Sequence, residues 1–138
     1  MNDDNLAVCI RAQRDLFGGG RLELADEVIA PDFVDHEAPD GAPGGPEGVR
    51  RTVAWLRGAF SDLSYEVEDA IAAGDRVAVR CTASGTHDGE FMGRSATHRR
   101  FAVKHTHWFR VDGGLIAEHW AVRDDLGMMR QLGLGEAR

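Results

Sequence analysis

A chain of 138 residues, 43% hydrophobic and 28% charged, is long enough to build one globular domain with a real core. Its formal net charge of −7 excludes the basic stripe that nucleic-acid binding requires, and it disfavours an anionic membrane surface. Cys9 and Cys81 are too few for a disulfide framework and lack metal-ligand spacing, so both are expected as core thiols. The start, M-N-D-D-N-L, lacks the basic region of a secretory signal. No apolar run is long enough to span a bilayer, and a cytoplasmic protein is the expectation.

Residues 3–18 read as a helix. Asp3 or Asp4 can cap it, Leu6, Cys9, Ile10, Gln13, Leu16 and Phe17 form its stripe, and Gly18-Gly19-Gly20 stops it. Arg21 to Ile29 reads as a second short helix, broken at Pro31, with a further turn beginning at Asp32-Phe33. Residues 34–46 are dominated by Pro and Gly and form a loop long enough to serve as a lid or binding loop. A third helix is predicted from Gly45 to Phe60. Pro46 and Glu47 suit its first turn, Val49, Val53, Leu56 and Phe60 form its stripe, and Arg50, Arg51 and Arg57 face solvent.

From Leu63 the period changes to two. Leu63, Tyr65, Val67, Asp69 and Ile71 share one face, and Ser64, Glu66, Glu68 and Ala70 the other. After a turn at Ala73-Gly74-Asp75, Val77, Val79, Cys81 and Ala83 alternate with Arg76 and Arg80, as an antiparallel neighbour of the acidic strand would. Residues 84–98 are dotted with glycine, and His87 and His98 are expected to be exposed. Two further strands flank Asp112-Gly113-Gly114, a hairpin signal. Leu126 to Leu132 forms a short tail ending in Gly133 and Gly135. Three helices followed by four or more strands define an α+β architecture, helices packed on a curved antiparallel sheet around an apolar pocket.

The last hairpin concentrates chemistry, with three of the six histidines on its arms. Extending the alternation from Phe101 and Ile116 puts Phe101, Val103, His105, His107 and Phe109 inward on the first arm. On the second arm it puts Ile116, Glu118, Trp120, Val122 and Asp124 inward, with His119 and Arg123 turned away. Asp124 at the edge of an apolar pocket would have a raised pKa and could move a proton next to a carbonyl. His107 or His105 could bind the substrate carbonyl, and His36 would stand at the pocket mouth. Phe33, Trp55, Tyr65, Phe109, Trp120 and Glu118 complete the expected lining. Asp125, before Leu126-Gly127, is expected to cap the tail.

No His-Glu-x-x-His or comparable spacing, no Gly-x-Ser-x-Gly and no dinucleotide fingerprint occurs, so neither metal nor cofactor is expected. His105-Thr106-His107 could chelate, but strand alternation alone also explains it.

Five segments together resemble the SnoaL-like polyketide cyclase (ester cyclase) family of the nuclear-transport-factor-2-like superfamily. They are Phe33-Val34-Asp35-His36, Ala59-Phe60-Ser61-Asp62-Leu63, residues 84–93, Ile116-Ala117-Glu118-His119-Trp120 with Asp124, and Gln131-Leu132-Gly133. The resemblance covers nearly the whole chain, residues 1–138 as one domain, and implies an α+β cone that dimerises through its sheet. It further implies a cofactor-independent ring closure of a hydrophobic polyketide by intramolecular aldol chemistry, with Asp124 as acid/base and His107 in support. The competing expectations are an epoxide hydrolase on the same fold and a non-catalytic ligand-binding or dimerisation module. The first is disfavoured because asparagine occurs only at Asn2 and Asn5.

Overall fold

The computed structural model describes residues 2–134. The tail's Gly135 lies outside them. Five strands, β1 (Ile29–Asp35), β2 (Ser64–Ala73), β3 (Arg76–Thr86), β4 (Arg100–Asp112) and β5 (Leu115–Arg123), form one sheet in the order β1-β5-β4-β3-β2. Helices α1 (Asn2–Arg11), α2 (Ala25–Val28) and α3 (Gly45–Ala59) pack on one face of it, and α4 (Asp125–Gln131) closes the described chain. The α+β class and the curved, helix-covered sheet are as expected. No helix among the described residues is long and apolar enough to cross a membrane.

The first helix continues past α1 as a widened π-helical segment over Ala12–Gly18, closed by a bond from Gly19 N–H to the Arg14 carbonyl at 2.9 Å. Widening carries Ala12, Gln13 and Leu16 into the core together, which a regular 3.6-residue turn does less readily. The second predicted helix is shorter, a 3-10 turn over Leu22–Leu24 and then α2, and from Ile29 the chain extends as β1. Pro31 is tolerated because β1 is an edge strand and pairs only with β5, in parallel.

α3 occupies the predicted span, with Pro46 in its first turn and Val49, Val53 and Ala59 buried. Arg57 departs from expectation. Its guanidinium donates to the carbonyls of Gly18, Ser61 and Leu63 instead of facing solvent, and so ties the end of the first helix to the α3–β2 loop. The β4–β5 turn has Gly113 and Gly114 both at positive φ (59° and 84°), the two-residue turn that matches strand twist. Across β2–β4, Glu68 meets Arg80 at 2.9 Å and Lys104 at 2.7 Å, the charge complementarity read from the alternation.

Two β-bulges reset the alternation. In β2, Glu68 is an extra residue between the pairs Val67↔Cys81 and Asp69↔Arg80. In β5, Ala117 is extra between Ile116↔Val111 and Glu118↔Arg110. Beyond each bulge the faces exchange. Ile71 therefore turns out of the core, and Ala70 and Ala72 turn in. His119, expected outside, points inward, while Glu118, Trp120, Val122 and Asp124 leave the inner face.

The segment between β3 and β4 is pinned to the end of α3. Asp88 and Gly89 both donate from their backbone N–H to the Ala59 carbonyl, at 3.1 and 3.0 Å. His87, expected to be exposed, is fully buried, its Nδ1 held by the Thr97 hydroxyl and backbone N–H. A Cβ on Gly89 would collide with the Gly58 carbonyl. Gly89→Ala should therefore lower the urea midpoint, at unchanged m-value, by the equivalent of about 1–3 kcal/mol, the usual range for overpacking.

Candidate functional site

The inner face of β4 presents Val103, His105, His107 and Phe109, all buried. Cys81 stands directly across from His105 on β3, and Ala121 and His119 stand across from His107 and Phe109 on β5. Parallel pairing with β1 brings Asp35 into register with His119. Tyr65 covers the two β4 histidines, with ring centroids 5.6 and 5.8 Å away, and Phe17 stacks on His119 at 5.8 Å.

Four of these groups form one hydrogen-bonded chain. Asp35 Oδ1 lies 2.9 Å from His119 Nδ1, His119 Nε2 lies 2.9 Å from His107 Nδ1, and His107 Nε2 lies 3.2 Å from His105 Nδ1. An ionised carboxylate only accepts, so His119 donates from Nδ1. Its Nε2 then accepts from His107, and His107 Nε2 accepts from His105. The bonds run one way, and Nε2 of His105 is the terminal acceptor. Burial, helped by the Arg123 charge, lowers the His105 pKa from 6.5 to about 4. Burial and the neighbouring His119 and His105 push His107 well below its ordinary value. For Asp35 burial alone would disfavour ionisation. The His119 hydrogen bond, the Glu37 N–H and the Arg123 charge outweigh it and hold the carboxyl below the usual range. Burial raises Tyr65 to about 12, so its hydroxyl stays protonated at neutral pH.

The predicted site residues divide between two faces. His105, His107, Tyr65, Phe109 and Phe33 are buried within. Glu118, Trp120 and His36, expected at the pocket, meet on the opposite face. There Glu118 accepts from Arg110 and pairs with His36 at 2.8 Å, and His36 stacks on Trp120 at 4.8 Å. These two contacts with Arg110 and His36 hold the Glu118 carboxyl below its ordinary range. Trp55 is half exposed on α3 and touches Phe91. Asp124 is exposed, and its carboxylate accepts from Gly127 N–H at 2.8 Å, so Asp124 is the N-cap of α4 in place of Asp125. It lines an open recess of about 370 Å³ with Arg80, Lys104, Thr106 and Val122 of the outer face and with Arg123, a recess that His105 also borders. Gln131 holds the far end of α4, its amide exchanging bonds with Ala102 N–H (2.7 Å) and C=O (3.2 Å).

Asp35, Gln13 and the inward His119 were missed as site residues. Asp35 beside His36 in an apolar segment was the available signal, but it needed the β1–β5 pairing to acquire a partner.

A helix-covered, strongly bulged sheet with a polar cluster on its inner face defines the nuclear-transport-factor-2-like cone. The chain belongs to the SnoaL-like polyketide cyclase family, whose sequence profile matches residues 7–132. It is 33% identical over 119 residues to nogalonic acid methyl ester cyclase of Streptomyces nogalater, covering 85% of this chain and 89% of that one. Among solved structures it resembles TsrD from Streptomyces laurentii (28% identity, 97% of this chain and 98% of that chain, TM-score 0.87). It also resembles wild-type IdmH from Streptomyces antibioticus (36% identity, 94% and 98%, TM-score 0.80).

The buried histidines make stability pH-dependent. A pKa depressed on folding contributes stability that is complete above the unfolded value and lost as pH falls through the folded one. For His105 that window runs from 6.5 down to about 4. The loss is about 3 kcal/mol from this group, and ionised Asp35 adds loss in the same direction. Urea midpoints should fall across that window, and His105→Gln should flatten the fall; an equal slope in wild type and variant would refute the coupling.

Proposed function

We propose that the protein is a cofactor-independent cyclase that closes a ring in a hydrophobic, polyketide-like carbonyl compound by intramolecular aldol-type chemistry. Family membership supports the substrate class, since the relatives are named for cyclising nogalonic and aklanonic acid methyl esters. The observation that carries the mechanism is the one-way chain Asp35–His119–His107–His105.

In this reading His105 Nε2 accepts the proton from the carbon beside the substrate carbonyl. His107, His119 and Asp35 are positioning residues that share the resulting positive charge. The enolate carbon attacks a second carbonyl of the same molecule, one C–C bond forms, and the new alkoxide takes up a proton. Asp124, on the shared recess, is the acid/base partner for that oxygen. Phe33, Tyr65 and Phe109 supply apolar contact, and His36 stays outside the reacting centre.

With nogalonic or aklanonic acid methyl ester as probe, His105→Gln and Asp124→Asn should each lower kcat ~100-fold or more with unchanged far-UV circular dichroism. Full turnover by Asp124→Asn would remove Asp124 from the mechanism, and full turnover by His105→Gln would remove the relay.

The reading includes a homodimer formed through the sheet. Ile71, Ala78, Trp108 and Trp120 are direct cross-strand neighbours on the outer face, and Ile71 and Trp108 are 66% and 46% exposed there. Trp108→Glu should convert a dimer to a monomer in light scattering; a wild-type monomer would overturn this part.

A further inference from the structure

The inner face holds a second arrangement that the proton relay does not use. Cys81, His105 and His107 are all buried, and one ligand atom from each lies within 4.8 Å of the others. His105 and His107 are two apart on β4 and so project from one face, and Cys81 faces His105 from β3. Two histidines at this spacing on one strand, completed by a donor from a neighbouring strand, is a geometry that rigid sheet backbone can hold without a loop.

Spacing in the sequence gave no reason to expect a metal, but the distances do. His105 Nδ1 and His107 Nε2 are 3.2 Å apart. Two nitrogens bound to one tetrahedral cation at about 2.0–2.1 Å would stand about 3.3 Å apart, and a sulfur at about 2.3 Å would stand about 3.5 Å from each. The histidine pair already has that edge, and the thiol, within 4.8 Å, closes the triangle by side-chain rotation. His107 is oriented as a bound imidazole usually is, its other ring nitrogen tied through His119 to the Asp35 carboxylate.

A further, independent observation comes from the helical layer. Gln13 is fully buried, its Nε2 lies 3.8 Å from Cys81 Sγ, and its Oε1 has no hydrogen-bond partner. A buried amide oxygen without a donor is uncommon and calls for a partner. A cation beside Cys81 would supply one.

The geometry points to a binding site for one divalent cation of the zinc class, with Cys81 Sγ, His105 Nδ1 and His107 Nε2 as ligands and the buried Gln13 amide beside Cys81, where a turn of its amide plane would offer Oε1 as a fourth donor. One thiolate and two imidazoles select zinc or cobalt over magnesium or calcium. On binding, the Cys81 thiol releases one proton to solvent and His105 moves its proton from Nδ1 to Nε2. The cation takes the His107 lone pair that the relay uses, so loading and proton relay exclude one another. Binding is read without substrate, so the site stands or falls apart from the cyclase reading.

Tag-free, chelator-treated full-length protein is titrated with cobalt(II) alone. The expected result is one equivalent bound, with the visible bands of tetrahedral cobalt and a near-ultraviolet thiolate-to-cobalt charge-transfer band. Cys81→Ser should abolish that band, and His105→Gln should weaken binding at least tenfold, whereas His98→Gln, on the surface, should match wild type. Should the variants fail to fold, zinc-edge X-ray absorption of wild-type protein loaded with one equivalent of zinc decides: a sulfur neighbour at about 2.3 Å is expected. No cobalt bands, a charge-transfer band that survives Cys81→Ser, or a zinc shell of nitrogen and oxygen alone would each overturn the site.

Discussion

One extra residue in β5 governs the interior of this protein. Ala117 is the bulged residue between the Val111↔Ile116 and Arg110↔Glu118 pairs. Without it, strand alternation would send His119 to the outer face and bring Glu118 and Trp120 inward. With it, His119 reaches Asp35 on one side and His107 on the other, and the carboxylate gains the donor that keeps it ionised below the helical layer. The bulge costs a ladder bond and an unpaired residue. It decides which histidines can touch.

The outer face is the complement of the same choice. Glu118, expelled from the interior, becomes the acceptor for Arg110 and His36, and Trp120 becomes a platform stacked against His36 and crossed by Arg76, whose guanidinium lies 5.2 Å from the ring. The bulge at Glu68 does the same for β2, turning Ile71 outward into line with Ala78 and Trp108. Two single-residue insertions thus assemble an inner polar chain and an outer aromatic row. The buried polar chain and the exposed apolar row lie on opposite sides of one sheet.

The inner cluster is dense in nitrogen and sulfur yet almost devoid of charge. Burial keeps His105 and His107 neutral, Tyr65 protonated and the Cys81 thiol pushed up to about 11, leaving Asp35 as the ionised member of the group. Neutral imidazoles linked head to tail can pass a proton without separating charge over a long distance. Their lone pairs are also what a soft cation would seek. Both properties follow from one fact, that these side chains are buried beneath the helical layer.

Much of this was legible in the residues themselves. The helices, the strand periods, the Gly113-Gly114 turn, the Glu68–Arg80 pairing and the inward set of β4 all follow from local chemistry, and the family follows from the order of five short motifs. Local rules also reached His105 and His107 through alternation along a single strand. They failed on the facing of Glu118, Trp120, Ile71 and His119 for one reason. A bulge is set by how two strands pair, and no residue within β5 announces that Ala117 will be the unpaired one. Asp35 was invisible for a related reason, since its partner lies 84 positions away and is brought near only by parallel pairing of an edge strand. Sequence by itself determined the elements other than β1, the family and the faces before each bulge. Tertiary structure alone decided the faces beyond them, because side-chain direction in a sheet is inherited from register, and register belongs to the pair of strands.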